Sequence, residues 1–154
     1  MAIRNIVKHG DEVLTKKCRT VEKFDERLET LIEDLFDTLY DSGGAGLAAP
    51  QVGVMRRVAV IDIDDNPYEL VNPEIIATEG EQTGAEGCLS YPGKFGIVTR
   101  PMKVRVKAQD RHGEWHEYEG EALLARAFCH ETDHLDGNMF MDLVTEWIEV
   151  EDED

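Results

Sequence analysis

One stretch constrains this chain more than any other: Phe128-Cys129-His130-Glu131-Thr132-Asp133-His134-Leu135-Asp136-Gly137. It carries His-Glu-x-x-His within a run whose apolar residues recur at helical spacing. Residues four apart on a helix stand one above the other on a single face. Two imidazoles so placed can grip one metal ion, and the intervening Glu stands beside that ion as a proton carrier. The bland alternative is a helix with two surface histidines. Against it, Leu123, Leu124, Ala127, Phe128 and Leu135 mark a buried side, and steps of 3.6 residues bring His130, Glu131 and His134 onto it. Burying three ionisable groups without partners costs several kcal/mol. A bound cation removes that cost.

The rest of the composition narrows the setting. A chain of 154 residues suits one domain spanning 1–154, with residues from about 142 to 154 as a short acidic tail. The net charge of −17 repels phosphate backbones, so no direct nucleic-acid binding is expected. No apolar run is long enough to span a bilayer, and Met1-Ala2-Ile3-Arg4 does not open a signal peptide. Three cysteines, Cys18, Cys88 and Cys129, read as reduced thiols of a cytoplasmic protein.

Residues 1–24 read as a loose arm. From Asp25 a helix begins, with Leu28, Leu31, Ile32, Leu35, Phe36, Leu39 and Tyr40 forming an apolar stripe. Asp25 suits its N-cap, and Gly43-Gly44 ends it. Residues 44–53 form a loop of small side chains. Strands are expected at 57–63, 69–78 through Pro73, 96–100, 103–109 and 114–119, with turns at 62–67 and 110–113. A second helix covers 121–135. Strands joined by short turns between two helices give an α+β fold with antiparallel sheets and an amphipathic N-terminal helix.

Between the strands lies Glu86-Gly87-Cys88-Leu89-Ser90. Taken alone, Cys88 reads equally well as a small buried apolar residue. Beside two histidines at helical spacing, its thiolate makes a third ligand and leaves a fourth position open, the pattern of a catalytic site. Gly87 lets the backbone bend there, and Leu89 offers its N–H to the same space. A closed structural site would need Cys18 or Cys129, but Cys18 lies in the arm and Cys129 turns about 100° from His130.

Gly44-Ala45-Gly46-Leu47-Ala48-Ala49-Pro50-Gln51, Glu86-Gly87-Cys88-Leu89-Ser90 and His130-Glu131-Thr132-Asp133-His134 together resemble the three signature motifs of the peptide deformylases, in that family's order. The resemblance runs from about Ile3 to Met141. It implies sheets packed around a central helix carrying His-Glu-x-x-His. It also implies removal of the N-formyl group from the formylmethionine of newly made polypeptides, with release of formate. By the same resemblance Cys88, His130 and His134 hold one divalent metal, Fe²⁺ as the working ion, with Zn²⁺, Ni²⁺ or Co²⁺ also suited to the ligands. Glu131 is the general acid/base for a metal-activated water. Gln51, through its amide, and Leu89, through its N–H, meet the oxyanion. Gly46 bonds the substrate backbone. The small residues from Gly44 and Ala45 onward let an extended peptide approach the chain closely. Leu123 and Ala127 border the methionine pocket.

Glu86 and Arg100 resemble a family ion pair with a structural role, and Asp133 reads as an exposed helical carboxylate sooner than as a partner that supports the metal ligands from behind. Two departures stand out: Arg126 occupies a position often apolar in relatives, near the pocket mouth, and Phe95 one sometimes basic. The acidic C-terminus also replaces the basic helix by which some relatives dock to the ribosome, so transient ribosome proximity without that docking mode is expected, for a monomer away from membranes. A second reading is another His-Glu-x-x-His metallohydrolase or peptidase, with Glu146 or Glu149 as downstream third ligand. A third is a non-catalytic, metal-stabilised interaction module.

Overall fold

The computed structural model describes residues 2–148, so the terminal acid run at 151–154 lies outside the described residues. Its architecture is α+β: two helices, α1 (Glu26–Ser42) and α2 (Leu123–Leu135), and two antiparallel sheets. One sheet has the strand order β1-β2-β3-β6-β7, with β1 at Gly46–Ala48, β2 at Val58–Ile63, β3 at Asn66–Glu79, β6 at Lys103–Gln109 and β7 at Trp115–Glu121. The other has the order β4-β5-β8, with β4 at Gln82–Cys88, β5 at Tyr91–Arg100 and β8 at Glu146–Ile148.

α1 starts where its capping chemistry puts it. The Leu28 N–H donates to Asp25 Oδ1 at 3.2 Å, and Gly43 closes the helix at φ 75° with its N–H on the Leu39 carbonyl. Leu28, Leu31, Ile32, Leu35 and Leu39 are buried against Val21, Leu47, Val58, Val60 and Val71. Tyr40 leaves the stripe and is 56% exposed. At 100° per residue it lies about 120° from Leu28, beyond the buried arc, and its hydroxyl donates to Asp62 at 2.6 Å. Replacing Asp25 with Ala should cost about 1 kcal/mol, lowering the thermal midpoint by about 2–4 °C in a chain of this size. Thermal unfolding followed by circular dichroism checks this.

Four segments differ from their sequence readings. The arm is not loose: Leu14, Cys18 and Val21 are buried, and the Arg4 guanidinium grips buried Asp34 at 2.9 Å. The small-residue loop contains β1, whose backbone pairs Gly46 with Ile61 and Ala48 with Ala59. β4 was not expected, because Gln82-Thr83-Gly84-Ala85 shows no apolar alternation and only Thr83 is β-branched, and backbone pairing with β5 makes the strand. The expected tail from 142 instead supplies β8, which pairs Phe95 with Ile148 and Gly96 with Trp147. Pro73 is accommodated where β3 shifts register between Val71 and Glu74.

These elements set the site between two sheets. β1 and β4 are each an outer strand of their sheet, and α2 contacts both β1 and β2.

Candidate active site

On α2, Arg126, His130 and His134 follow one another at four-residue steps, and each is buried. Cys88 ends β4, where a register shift follows Glu86; such irregularities re-aim side chains. Gly87 leaves room there for the Phe95 ring, which a Cβ would meet at 2.7 Å. The outcome is a compact group: one ligand atom each from Cys88, His130 and His134, all within 4.8 Å of one another. Cys88 Sγ lies 3.3 Å from His134 Nε2, and the two Nε2 atoms are 3.2 Å apart. A tetrahedral ion with bonds of about 2.0 Å to nitrogen and 2.3 Å to sulfur sets such donors roughly 3.3–3.6 Å apart. The residues therefore fit a single ion held by thiolate and two imidazoles.

The orientation of His130 is set from behind. Its Nδ1 bonds Glu86 Oε2 at 2.7 Å, which turns Nε2 towards the ligand group. Glu86 is neither exposed nor simply paired. It accepts from Arg100 Nε and Nη2 at 3.1 and 2.8 Å, and from Arg126 Nη1 at 2.9 Å. Burial would raise its pKa, but the bonds from His130 and Arg100 hold the carboxyl down at about 2. Arg100 also reaches Asp133 at 2.6 Å, so Asp133 is not a free helical carboxylate. Arg126, expected at the pocket mouth, does line the cleft on which the site opens, but its guanidinium is buried and held by Glu86 and the Val98 carbonyl. A helical signal for this existed: Arg126 precedes His130 by four residues and shares its inward face.

Glu131 is buried, and its Oε1 has no partner among the described residues. Its other oxygen faces Gly46, where a Cβ would stand 2.5 Å from Oε2. Burial pushes this carboxyl up to about 7, against the opposing charge of His130. Gln51 is locked by the backbone three residues before it: Oε1 accepts from the Ala48 N–H at 2.9 Å. Its Nε2 is thereby turned to Ser90 Oγ at 3.1 Å and Cys88 Sγ at 3.5 Å.

Most of the expected site residues open on one cleft of about 480 Å³. Gly44, Ala45, Gly46, Gln51, Cys88 and Leu89 line it from one side, and Leu123, Ala127, His130 and Glu131 from α2. His134 is the one expected site residue not lining it; it stands behind His130, fully enclosed. Leu123 is 55% exposed, so it belongs to the rim and not to the buried side of α2. It is the first residue of the helix, where the apolar stripe reaches solvent. Glu146 lies exposed on β8 opposite Ile97 and does not line this cleft. Glu149 lies outside the described residues. Cys18 packs with Ala48, Ala59 and Leu135, and Cys129 with the other core, away from the ligand group.

Comparison with known proteins agrees across sequence and structure. The family model for polypeptide deformylase matches residues 3–148. A peptide deformylase of Lachnoclostridium phytofermentans is 58% identical over 147 residues, covering 94% of this chain and 90% of that protein. The crystal structure of a peptide deformylase from Legionella pneumophila superposes with a TM-score of 0.91 at 50% identity, covering 94% of this chain and 87% of that one. The Thermotoga maritima peptide deformylase gives 0.92 at 40% identity, covering 94% and 99%.

Proposed function

The chain belongs to the polypeptide deformylase family, and we propose how its residues carry that family's reaction. The protein is a metalloenzyme that removes the N-formyl group from nascent polypeptides. In our reading α2 is the central helix, packed behind the cleft, and α1 is the amphipathic helix that supports β1 and β2. Cys88, His130 and His134 hold the ion, with Fe²⁺ as the working metal and Zn²⁺, Ni²⁺ or Co²⁺ as substitutes. When bound, such an ion supplies an acidified water and polarises the formyl oxygen.

The remaining work falls to the chain. Glu131 takes a proton from the attacking water and delivers it to the nitrogen that leaves as formate separates. Gln51 Nε2 and the Leu89 N–H donate to the formyl oxygen as negative charge grows on it. The peptide lies extended between the outer strands β1 and β4, close to the backbone of Gly44–Gly46. Its methionine side chain packs on Ala127, with Leu123 at the rim. Single-domain organisation, a monomeric state and cytoplasmic action near the ribosome complete the reading.

The observation that carries this mechanism is a three-donor ligand group at the back of the cleft beside a buried carboxylate with an unpartnered oxygen. The test is formate release from formylmethionyl peptides under anaerobic conditions, with metal analysis of the same sample. Formate from a form carrying about one metal per chain is expected; no formate from any metal form would sink the reading. Removing the amide alone, in Gln51→Ala, should lower kcat by about 10²-fold with metal content unchanged. A larger rise in KM than fall in kcat would instead assign Gln51 to ground-state binding.

A further inference from the structure

The two oxyanion donors come from different sheets. Gln51 follows β1 in the short helical turn Ala49–Val52, beside the larger sheet, whereas Leu89 stands at the tip of the β4–β5 hairpin. The covalent links of that hairpin to the larger sheet lie at its other end. β3 runs into β4 through Gly80 and Glu81, and β5 into β6 through Pro101 and Met102, where Gln82 pairs with Arg100. Cys88 pairs with Tyr91 at the opposite end. The tip is therefore the part of the hairpin farthest from those links, and any rocking about them moves the Leu89 N–H most.

The N-terminal arm crosses this seam. It is first anchored on α1, where the Ala2 N–H donates to Asp34 Oδ1 at 3.0 Å and the Arg4 N–H to Thr38 Oγ1 at 2.9 Å. The Val7 N–H then donates to the Gln51 carbonyl at 2.6 Å, and the His9 N–H to the Ser90 carbonyl at 2.7 Å. One short piece of arm thus holds the backbone of one donor and of the residue next to the other. The His9 ring rests on Tyr91 at the same hairpin tip, with centroids 4.8 Å apart. A side-chain bond also spans the seam, from Gln51 Nε2 to Ser90 Oγ at 3.1 Å. That amide must serve the substrate as well, whereas the bonds from the arm use main-chain groups that the reaction leaves alone. We propose that the main-chain N–H groups of Val7 and His9 are positioning groups, which together set the distance between the Gln51 amide and the Leu89 N–H. The inference rests on the placement of the oxyanion between those two donors. Such donors act by standing in place before charge develops, and a misplacement of about 1 Å can cost about 100-fold in rate. Neither Val7 nor His9 lines the cleft. Loss of their bonds should therefore be felt in kcat, and not in substrate binding or metal content.

Proline substitution in the full chain removes one N–H at a time. Val7→Pro and His9→Pro are compared with Val7→Ala and His9→Ala, which keep the N–H and lose only the side chain. The readouts are steady-state formate release from a formylmethionyl peptide, metal content and the unfolding midpoint. Each proline variant should show a kcat about 10–100-fold below its alanine counterpart, with KM within about twofold and metal content unchanged. Combination with Gln51→Ala separates positioning from general damage. Val7→Pro acts through Gln51, so in that background it should cost less than about threefold more, whereas His9→Pro acts through Leu89 and should keep its full effect. Equal kcat for proline and alanine variants overturns the proposal. So does a Val7→Pro effect that multiplies in full with Gln51→Ala, or a fall in kcat that comes with lost metal or a raised KM. If Val7→Pro does not fold, the comparison at His9, which is exposed, decides by the same criteria of kcat, KM and metal. A Gln51→Ala protein with the parental kcat would overturn the placement of the oxyanion itself, a failure distinct from that of the arm.

Discussion

Replacing Glu131 with Gln should lower kcat/KM for formate release by about 10³-fold while leaving the metal in place and the fold intact. Gln has the shape of Glu, so it fits the narrow space against Gly46, where even a Cβ would collide with the native carboxylate. It cannot accept a proton from water or deliver one to the leaving nitrogen. The three ligand atoms come from other residues, so metal content should match the parent. Stability should not fall, and a small gain is expected. The native side chain is a buried acid with an unpartnered oxygen, and a neutral amide is cheaper to enclose than a carboxylate. The informative set is rate, metal content and unfolding midpoint on one preparation. A rate within about tenfold of the parent would remove Glu131 from the proton-transfer step. A lost metal would turn the residue into a determinant of binding.

Much of that cleft could be read from the chain before its fold was known. Helical spacing places His130 and His134 together because both lie on one element, and a period of 3.6 carries the geometry. Cys88 lies some forty residues away on another element, so its approach depends on its motif and on the chemical need for a third ligand. What spacing could not show was backbone-driven structure. β4 forms from residues with almost no strand signal, held by hydrogen bonds to β5. β8 forms from a segment that reads as the start of an acidic tail, because β5 offers it an edge. Arg126 shows a different failure. Its position on the inward face was readable from the same spacing that placed His130, but a buried arginine is credible only once Glu86 is known to await it. The choice between the two readings of Asp133 depends in the same way on a distant element, since its partner Arg100 comes from β5.

That buried network carries the largest expected stability effect in the molecule. Glu86→Gln should destabilise the chain by about 3–5 kcal/mol and weaken metal binding by about 10–100-fold. The argument rests on how many donors the carboxylate serves. Oε1 receives Arg100 and Arg126, and Oε2 receives Arg100 and His130. An amide keeps one acceptor and puts an NH₂ group where the other two donors point, so either orientation sets N–H against N–H. Two guanidinium groups would then stay buried with their main counter-charge gone; Arg100 keeps Asp133, and Arg126 keeps the Val98 carbonyl and, in one amide orientation, a neutral oxygen. His130 would exchange a carboxylate acceptor for at best a neutral amide oxygen, which loosens its ring and is the route from this network to the metal. Denaturant unfolding of metal-free and metal-loaded protein separates the two effects. The stability loss should be present in both forms and larger in the loaded one, because bound metal adds its own free energy to the folded state. An unchanged metal-free stability would mean that Glu86 merely orients His130 and that water compensates the arginines. A compensating test is Glu86→Gln with Arg126→Leu, which removes one stranded cation and fills its space. Recovery of part of the lost stability without recovery of metal affinity would show that the carboxylate serves the arginines and His130 through separable interactions.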